Sequence, residues 1–146
     1  LPHLKNKNVT ILDMGTGAGF PGAILSIAGC KNVTLVDSNG KKINFLKEAK
    51  KEFLLSFNIV LGRLENLNNL KYDVITTRAL ASLDNLFSYS QKFLKKNSVM
   101  IFLKGKTVNG EIQEAQKKWN FHFNKSQSAS HPEGSLLVVK NLKKND

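Results

Sequence analysis

The ten residues from Asp13 to Gly22, D-M-G-T-G-A-G-F-P-G, constrain the fold of this chain more than any others. A short apolar, partly β-branched run, Val9-Thr10-Ile11-Leu12, leads into them. Residues 21–28 follow, and Pro21 there suits the first turn of a helix. Strand, glycine turn and helix in this order form the opening unit of an open α/β sheet. Ligands of such sheets bind beyond the carboxyl ends of the strands, where the strand order reverses. Gly15, Gly17 and Gly19 let the backbone turn sharply and approach a ligand with no Cβ in the way. The helix that follows has free N–H groups to offer it.

Strand-like and helix-like patterns alternate along the rest of the chain. Strands are expected at Asn32–Asp37, Asn58–Leu61, Tyr72–Thr77 and Ser98–Leu103. Helices are expected over residues 41–55, 83–94 and 108–118. In the first of these, Ile43, Phe45, Leu46, Ala49, Phe53 and Leu54 recur at helical spacing, with lysines opposite. The end of the chain breaks the alternation. Phe121–Lys125 and Leu136–Lys140 are two strands with only a Ser-, Pro- and Gly-containing loop between them, most simply an antiparallel hairpin. The sum is a single α/β domain over residues 1–146: Rossmann-like, with a mostly parallel seven-stranded sheet and an antiparallel C-terminal hairpin. By fold-level analogy, that ending favours methyltransferases over dinucleotide dehydrogenases.

The glycine loop suits two ligands. Gly17, Gly19 and Gly22 satisfy the G-x-G-x-x-G dinucleotide fingerprint, a weak match alone. The wider pattern, with Asp13 at the strand end before Gly15, Gly17 and Gly19, suits S-adenosylmethionine better, because an acid complements a sulfonium and an ammonium rather than a pyrophosphate. Asp37 closes the second strand 22 residues after Gly15. That is where a ribose-binding acid is expected, although a cap for the next helix is the structural alternative, with Ser38 and Asn39 also available.

With 22 Lys and Arg against 11 Asp and Glu, the net charge is +11, which suits a polyanionic partner. A merely solvated basic surface is equally compatible. Arg63 and Arg78 are the only arginines. One cysteine, Cys30, excludes an internal disulfide and a cysteine-based zinc site, and the three histidines lack ligand spacing, so no metal is expected. There is no signal-peptide pattern and no apolar run of membrane-spanning length, so a cytoplasmic protein without membrane partners is expected.

The acceptor region is expected at T-T-R-A-L-A-S, Thr76 to Ser82, after the fourth strand. An N/D-P-P-Y/F acceptor loop for exocyclic amines is absent. Cys30 precedes the second strand, far from this region, which disfavours cysteine-based C5 methylation. Arg78 is the candidate catalytic group, with a buried ion-paired arginine as the alternative. Guanine N7 carries a free lone pair and needs no deprotonation, so the lack of an evident base permits that acceptor.

Taken together, the motifs D-M-G-T-G-A-G-F-P-G, L-V-D-S-N-G-K-K-I-N-F-L, R-L-E, T-R-A-L-A-S-L and F-L-K-G-K, in this order, resemble the GidB family of small-subunit (16S) ribosomal RNA guanine-N7 methyltransferases. The resemblance runs from about Val9 to Lys140. It implies S-adenosylmethionine as methyl donor, and cofactor contacts at Gly15, Phe20, Leu64, Glu65 and Arg78. Asp13, Gly17, Gly19 and Asp37 join them from the wider methyltransferase pattern. It makes 16S ribosomal RNA or the small ribosomal subunit the partner. Lys41, Lys42 and Lys104 are RNA-contact candidates by position and charge, and a monomer is expected. The family carries a helical segment before the first strand. Only eight residues precede Val9, so a chain largely lacking that segment is expected. The alternatives are a methyltransferase for another RNA or a small molecule, and a non-catalytic RNA-binding module. A nicotinamide oxidoreductase ranks third, since no Tyr-x-x-x-Lys pair supports it.

Overall fold

The computed structural model describes residues 8–15, 29–52, 56–68, 70–78, 81–127 and 134–146. The expected helix over 21–28 lies outside them, as do Gly17, Gly19 and Phe20. Seven strands form one sheet: β1 (Thr10–Met14), β2 (Asn32–Asp37), β3 (Phe57–Leu61), β4 (Tyr72–Arg78), β5 (Leu94–Lys104), β6 (Trp119–Gln127) and β7 (Ser135–Lys144). Their spatial order is β3-β2-β1-β4-β5-β7-β6. The pairs β1–β2, β2–β3, β1–β4 and β4–β5 are parallel, whereas β7 runs antiparallel to both β5 and β6. The last two strands form the expected hairpin, whose second strand inserts beside β5 and leaves β6 at the edge. Successive strands step outward from β1 to β3, and the chain then returns to start β4 on the other side of β1. The strand order therefore reverses between β1 and β4.

Helix α1 (Gly40–Glu52) covers one face of the sheet; α2 (Leu83–Ser90) and α3 (Val108–Gln116) pack into the core on the other. Alternation along β1 serves both faces. Ile11 joins Val33, Leu35, Ile43 and Leu46 on the α1 side. Leu12 and Met14 join Leu86, Phe87, Phe102 and Val108 on the other. Burial on both faces explains why the strands read as nearly continuous apolar runs. Phe87 anchors the larger core, with edge-on contacts to Trp119 and Phe121 at centroid distances of 5.7 and 4.8 Å. Phe45 departs from the expected pattern: it lies on α1 yet is 61% exposed.

Two further departures have local causes. The third helix pattern ends at Ser90 and tightens into a 3-10 turn, Gln91–Phe93, before β5. Strand β5 begins earlier than Ser98 because Leu94 already pairs with Tyr72; the register then jumps to Val74↔Val99. Ser98 holds the resulting irregularity: its hydroxyl donates to the Tyr72 carbonyl at 2.6 Å and accepts the Lys95 N–H at 2.7 Å. The link from β3 to β4 contains a single 3-10 turn, Leu64–Asn66, as its only helical element among the described residues.

Candidate cofactor and acceptor site

The site is built at the carboxyl ends of β1, β2 and β4. Asp13 and Thr76 are register partners across the switch point, and the Thr76 hydroxyl donates a 2.8 Å hydrogen bond to Asp13 Oδ1. Asp13 has no exposed surface. One residue on, the Thr77 hydroxyl donates to the Met14 carbonyl at 2.8 Å. Two adjacent threonines thus lock the end of β4 to the end of β1. Gly15 follows with φ of 62°, in the left-handed region where a Cβ is strained. Sequence reasoning noted T-T-R as a motif but missed both threonines as site residues. The available signal was two hydroxyl side chains where a doubly covered strand normally carries apolar ones.

Asp37 is half-buried at the end of β2. Its Oδ1 accepts the Asn39 N–H at 2.9 Å, and its backbone carbonyl accepts the Gly62 N–H at 3.0 Å, which ties the loop after β3 to the end of β2. Capping of α1 falls to Asn39, whose Oδ1 accepts the N–H groups of Lys41 and Lys42 at 3.0 and 3.2 Å. Asp37 orders the capping residue rather than capping the helix itself. An acid at this position suits a ribose diol, as expected for a nucleoside ligand.

Leu64 and Glu65, expected as cofactor contacts, lie in the 3-10 turn after β3. Leu64 is buried in the larger core while Glu65 is exposed. Lys92 pins this turn from across the fold, its ammonium donating to the carbonyls of Glu65 and Leu67 at 3.2 and 2.9 Å. A cleft of about 390 Å³ opens beside it, lined by Leu64, Glu65, Ser88, Tyr89, Gln91 and Lys92. Arg78 ends β4, its backbone paired with Leu103; its side chain lies outside what the structure describes.

The three expected RNA-contact lysines separate. Lys41 and Lys42 are exposed on the first turn of α1. Lys104 is not a surface group: its side chain is 4% exposed, and its ammonium sits 2.7 Å from Glu111 Oε1 and 2.8 Å from the Ala81 carbonyl. It ends β5 pointing into the protein, and burial of a charge demands such a partner. Sequence reading assigned it by position and charge and missed its partner Glu111, which lies in the helix expected over 108–118.

Cys30 is buried before β2 begins, toward the opposite end of the strand from Asp37. Among the described residues, no three His, Cys, Asp or Glu side chains converge as metal ligands, and no helix is long and apolar enough to cross a membrane.

A doubly wound sheet in this order, with a glycine turn after β1 and an acid closing β2, defines a class I S-adenosylmethionine-dependent methyltransferase. The left-handed Gly15 and the acid at the end of β2 are compatible in chemistry with that donor. The chain belongs to the rRNA small subunit methyltransferase G family, whose profile matches residues 1–138. It is 37% identical over 139 residues to the ribosomal RNA small subunit methyltransferase G of Granulibacter bethesdensis, covering 95% of this chain and 65% of that protein. It is 35% identical over 144 residues to the same-named protein of Rickettsia prowazekii, covering 99% of this chain and 74% of the relative. The chain thus spans about two thirds to three quarters of these relatives' length. Among solved structures it resembles the ribosomal protein L11 methylase of Lactobacillus delbrueckii subsp. bulgaricus (TM-score 0.77, 20% identity, 96% of this chain and 73% of that one). It also resembles the magnesium protoporphyrin IX methyltransferase of Synechocystis, solved with bound S-adenosylmethionine (TM-score 0.69, 15% identity, 92% and 71%). At these identities the two structures speak to the fold alone.

Proposed function

We propose that the chain transfers the methyl group of S-adenosylmethionine to N7 of a guanine in 16S ribosomal RNA, presented as RNA or within the small ribosomal subunit. The observation that supports this reading most is the Gly15 turn at the end of β1 beside Asp37 at the end of the neighbouring strand β2, in a member of this family. In the reaction the N7 lone pair forms the new N–C bond as the S–C bond breaks and its electron pair returns to sulfur. The positive charge passes from the sulfonium to the guanine, and no proton has to leave. Alignment of the two reacting atoms is then the main demand on the protein. Asp37 holds the ribose, the glycine turn and Leu64–Glu65 enclose the rest of the nucleoside, and Arg78 acts at the acceptor side. Lys41 and Lys42, exposed beside Asp37 in sequence and fold, contact RNA phosphates.

The test is transfer of labelled methyl groups from S-adenosylmethionine to small ribosomal subunits that lack the modification, followed by mapping of the label. Label at a guanine N7, with transfer cut strongly by Arg78→Ala, is the expected result. Label on another atom or another RNA overturns the acceptor assignment, and undiminished turnover of Arg78→Ala removes that residue from the site.

A further inference from the structure

The Lys104–Glu111 pair grips the entrance to α2 from both sides. Lys104 donates to the Ala81 carbonyl at 2.8 Å. Glu111 Oε1, which meets the Lys104 ammonium, also accepts the Leu83 N–H at 3.0 Å. The second oxygen, Oε2, accepts the Thr107 hydroxyl at 2.8 Å. Ala81 and Leu83 flank Ser82, the capping residue of α2, whose own hydroxyl oxygen accepts the Asn85 N–H at 3.3 Å. One of the helix's first-turn N–H groups, normally left without an intrahelical partner, is thus satisfied by a carboxylate from another helix.

This arrangement joins three elements at one point: the end of β5, the first turns of α3, and the segment that leaves β4. Ala81 lies three residues after Arg78. A pair of apolar side chains of similar volume serves stability as well as a buried ion pair or better. What an ion pair adds is direction, since the ammonium and the carboxylate accept only certain positions of the Ala81 carbonyl and the Leu83 N–H.

We propose that Lys104 and Glu111 are positioning residues for methyl transfer, which fix the β4–α2 segment against β5, and that Lys104 does not bind RNA phosphate. The proposal rests on the methyl-transfer reading above.

The test uses the full chain carrying Lys104→Met with Glu111→Gln. The double variant removes both charges, conserves volume and keeps an acceptor for the Leu83 N–H. Three quantities are read: the single-turnover methyl-transfer rate with saturating donor and small subunits, the donor affinity by calorimetry, and the salt dependence of RNA binding. A displacement of about 1 Å at a reacting centre costs roughly 10²-fold in rate. The expected result is a rate lowered at least about tenfold, donor affinity within about twofold, and an unchanged slope of log K against log salt. Glu111→Gln alone is the second variant, should the double variant not fold, and lowers the same rate. A rate equal to that of the unmodified chain overturns the proposal. So does a salt slope shallower by about 0.7–0.9, the signature of one lost phosphate contact. Absence of transfer by the unmodified chain is a separate result that removes the functional reading, and the positioning role with it.

Discussion

The Thr76 hydroxyl reaches Asp13 Oδ1 at 2.8 Å across the two strands between which the sheet reverses its order. The bond is buried at both ends, and Asp13 stands two residues before the left-handed Gly15. It couples the end of β1, just before the glycine turn, to the end of β4.

Replacing that hydroxyl by a methyl group tests the coupling. Thr76→Val conserves shape but withdraws a hydrogen bond from a buried carboxyl group, at a cost of about 1–3 kcal/mol. Chemical denaturation should show this loss, and donor affinity should fall with it. Stability and affinity equal to those of the unmodified chain count against Asp13–Thr76 as a structural bond of the site.

Asp37 admits a cleaner separation of roles. Asp37→Asn keeps an oxygen for the Asn39 N–H but loses the carboxylate, while Asp37→Ala loses both. If the carboxylate holds the ribose diol, both variants weaken the donor, by about 1–3 kcal/mol in calorimetry. If Asp37 serves only to order Asn39, Asn restores binding and Ala does not.

Gly15 stands at a φ of 62°. A side chain in that conformation costs roughly 1–2 kcal/mol. Gly15→Ala should therefore lower the melting temperature and weaken donor binding together. A variant of undiminished stability would show that the turn relaxes to another conformation without penalty.

Acid should destabilise the fold through two identifiable carboxyl groups. The Lys95 ammonium and the Thr10 N–H hold the Asp73 carboxyl below the usual range; the Trp119 indole N–H and Lys118 do the same for Asp84. A carboxyl whose folded pKa is depressed contributes fully above its unfolded value, near about 4, and loses that contribution as pH falls through the folded value. Stability from these groups is thus constant near neutrality and declines below about pH 4. Both side chains are partly exposed, so solvent screening keeps the effect modest. Unfolding measured between pH 2 and 7, roughly the span over which carboxyl groups titrate, should show a shallower acid decline in Asp73→Asn/Asp84→Asn. An identical decline would locate the acid sensitivity elsewhere.

Lys41 and Lys42 offer a test of the RNA surface. Each is exposed on the first turn of α1. Replacing both with alanine should flatten the salt dependence of RNA binding by about 0.7–0.9 per lost phosphate contact. An unchanged slope would move the RNA elsewhere on the surface.

Much of this protein is written in local sequence. Apolar runs separated by helical periodicity determine an alternating α/β chain, because a strand covered on both faces and a helix covered on one need different spacings of apolar residues. The glycine turn and Asp37 were readable because their conformation and their place at a strand end are local properties. The hairpin at the C-terminus was readable for the same reason. Tertiary structure alone decided the rest. Position and charge made Lys104 an RNA-contact candidate, yet a lysine's environment depends on what packs around it, and Glu111, Ala81 and Leu83 come from two other parts of the chain. Thr76 meets Asp13, 63 residues away, only because β4 returns to lie beside β1. Phe45 fits the apolar side of its helix in sequence and stands exposed in the fold. Periodicity says which residues share a face. It does not say how far the neighbouring element extends over that face, because only the packed chain sets that distance.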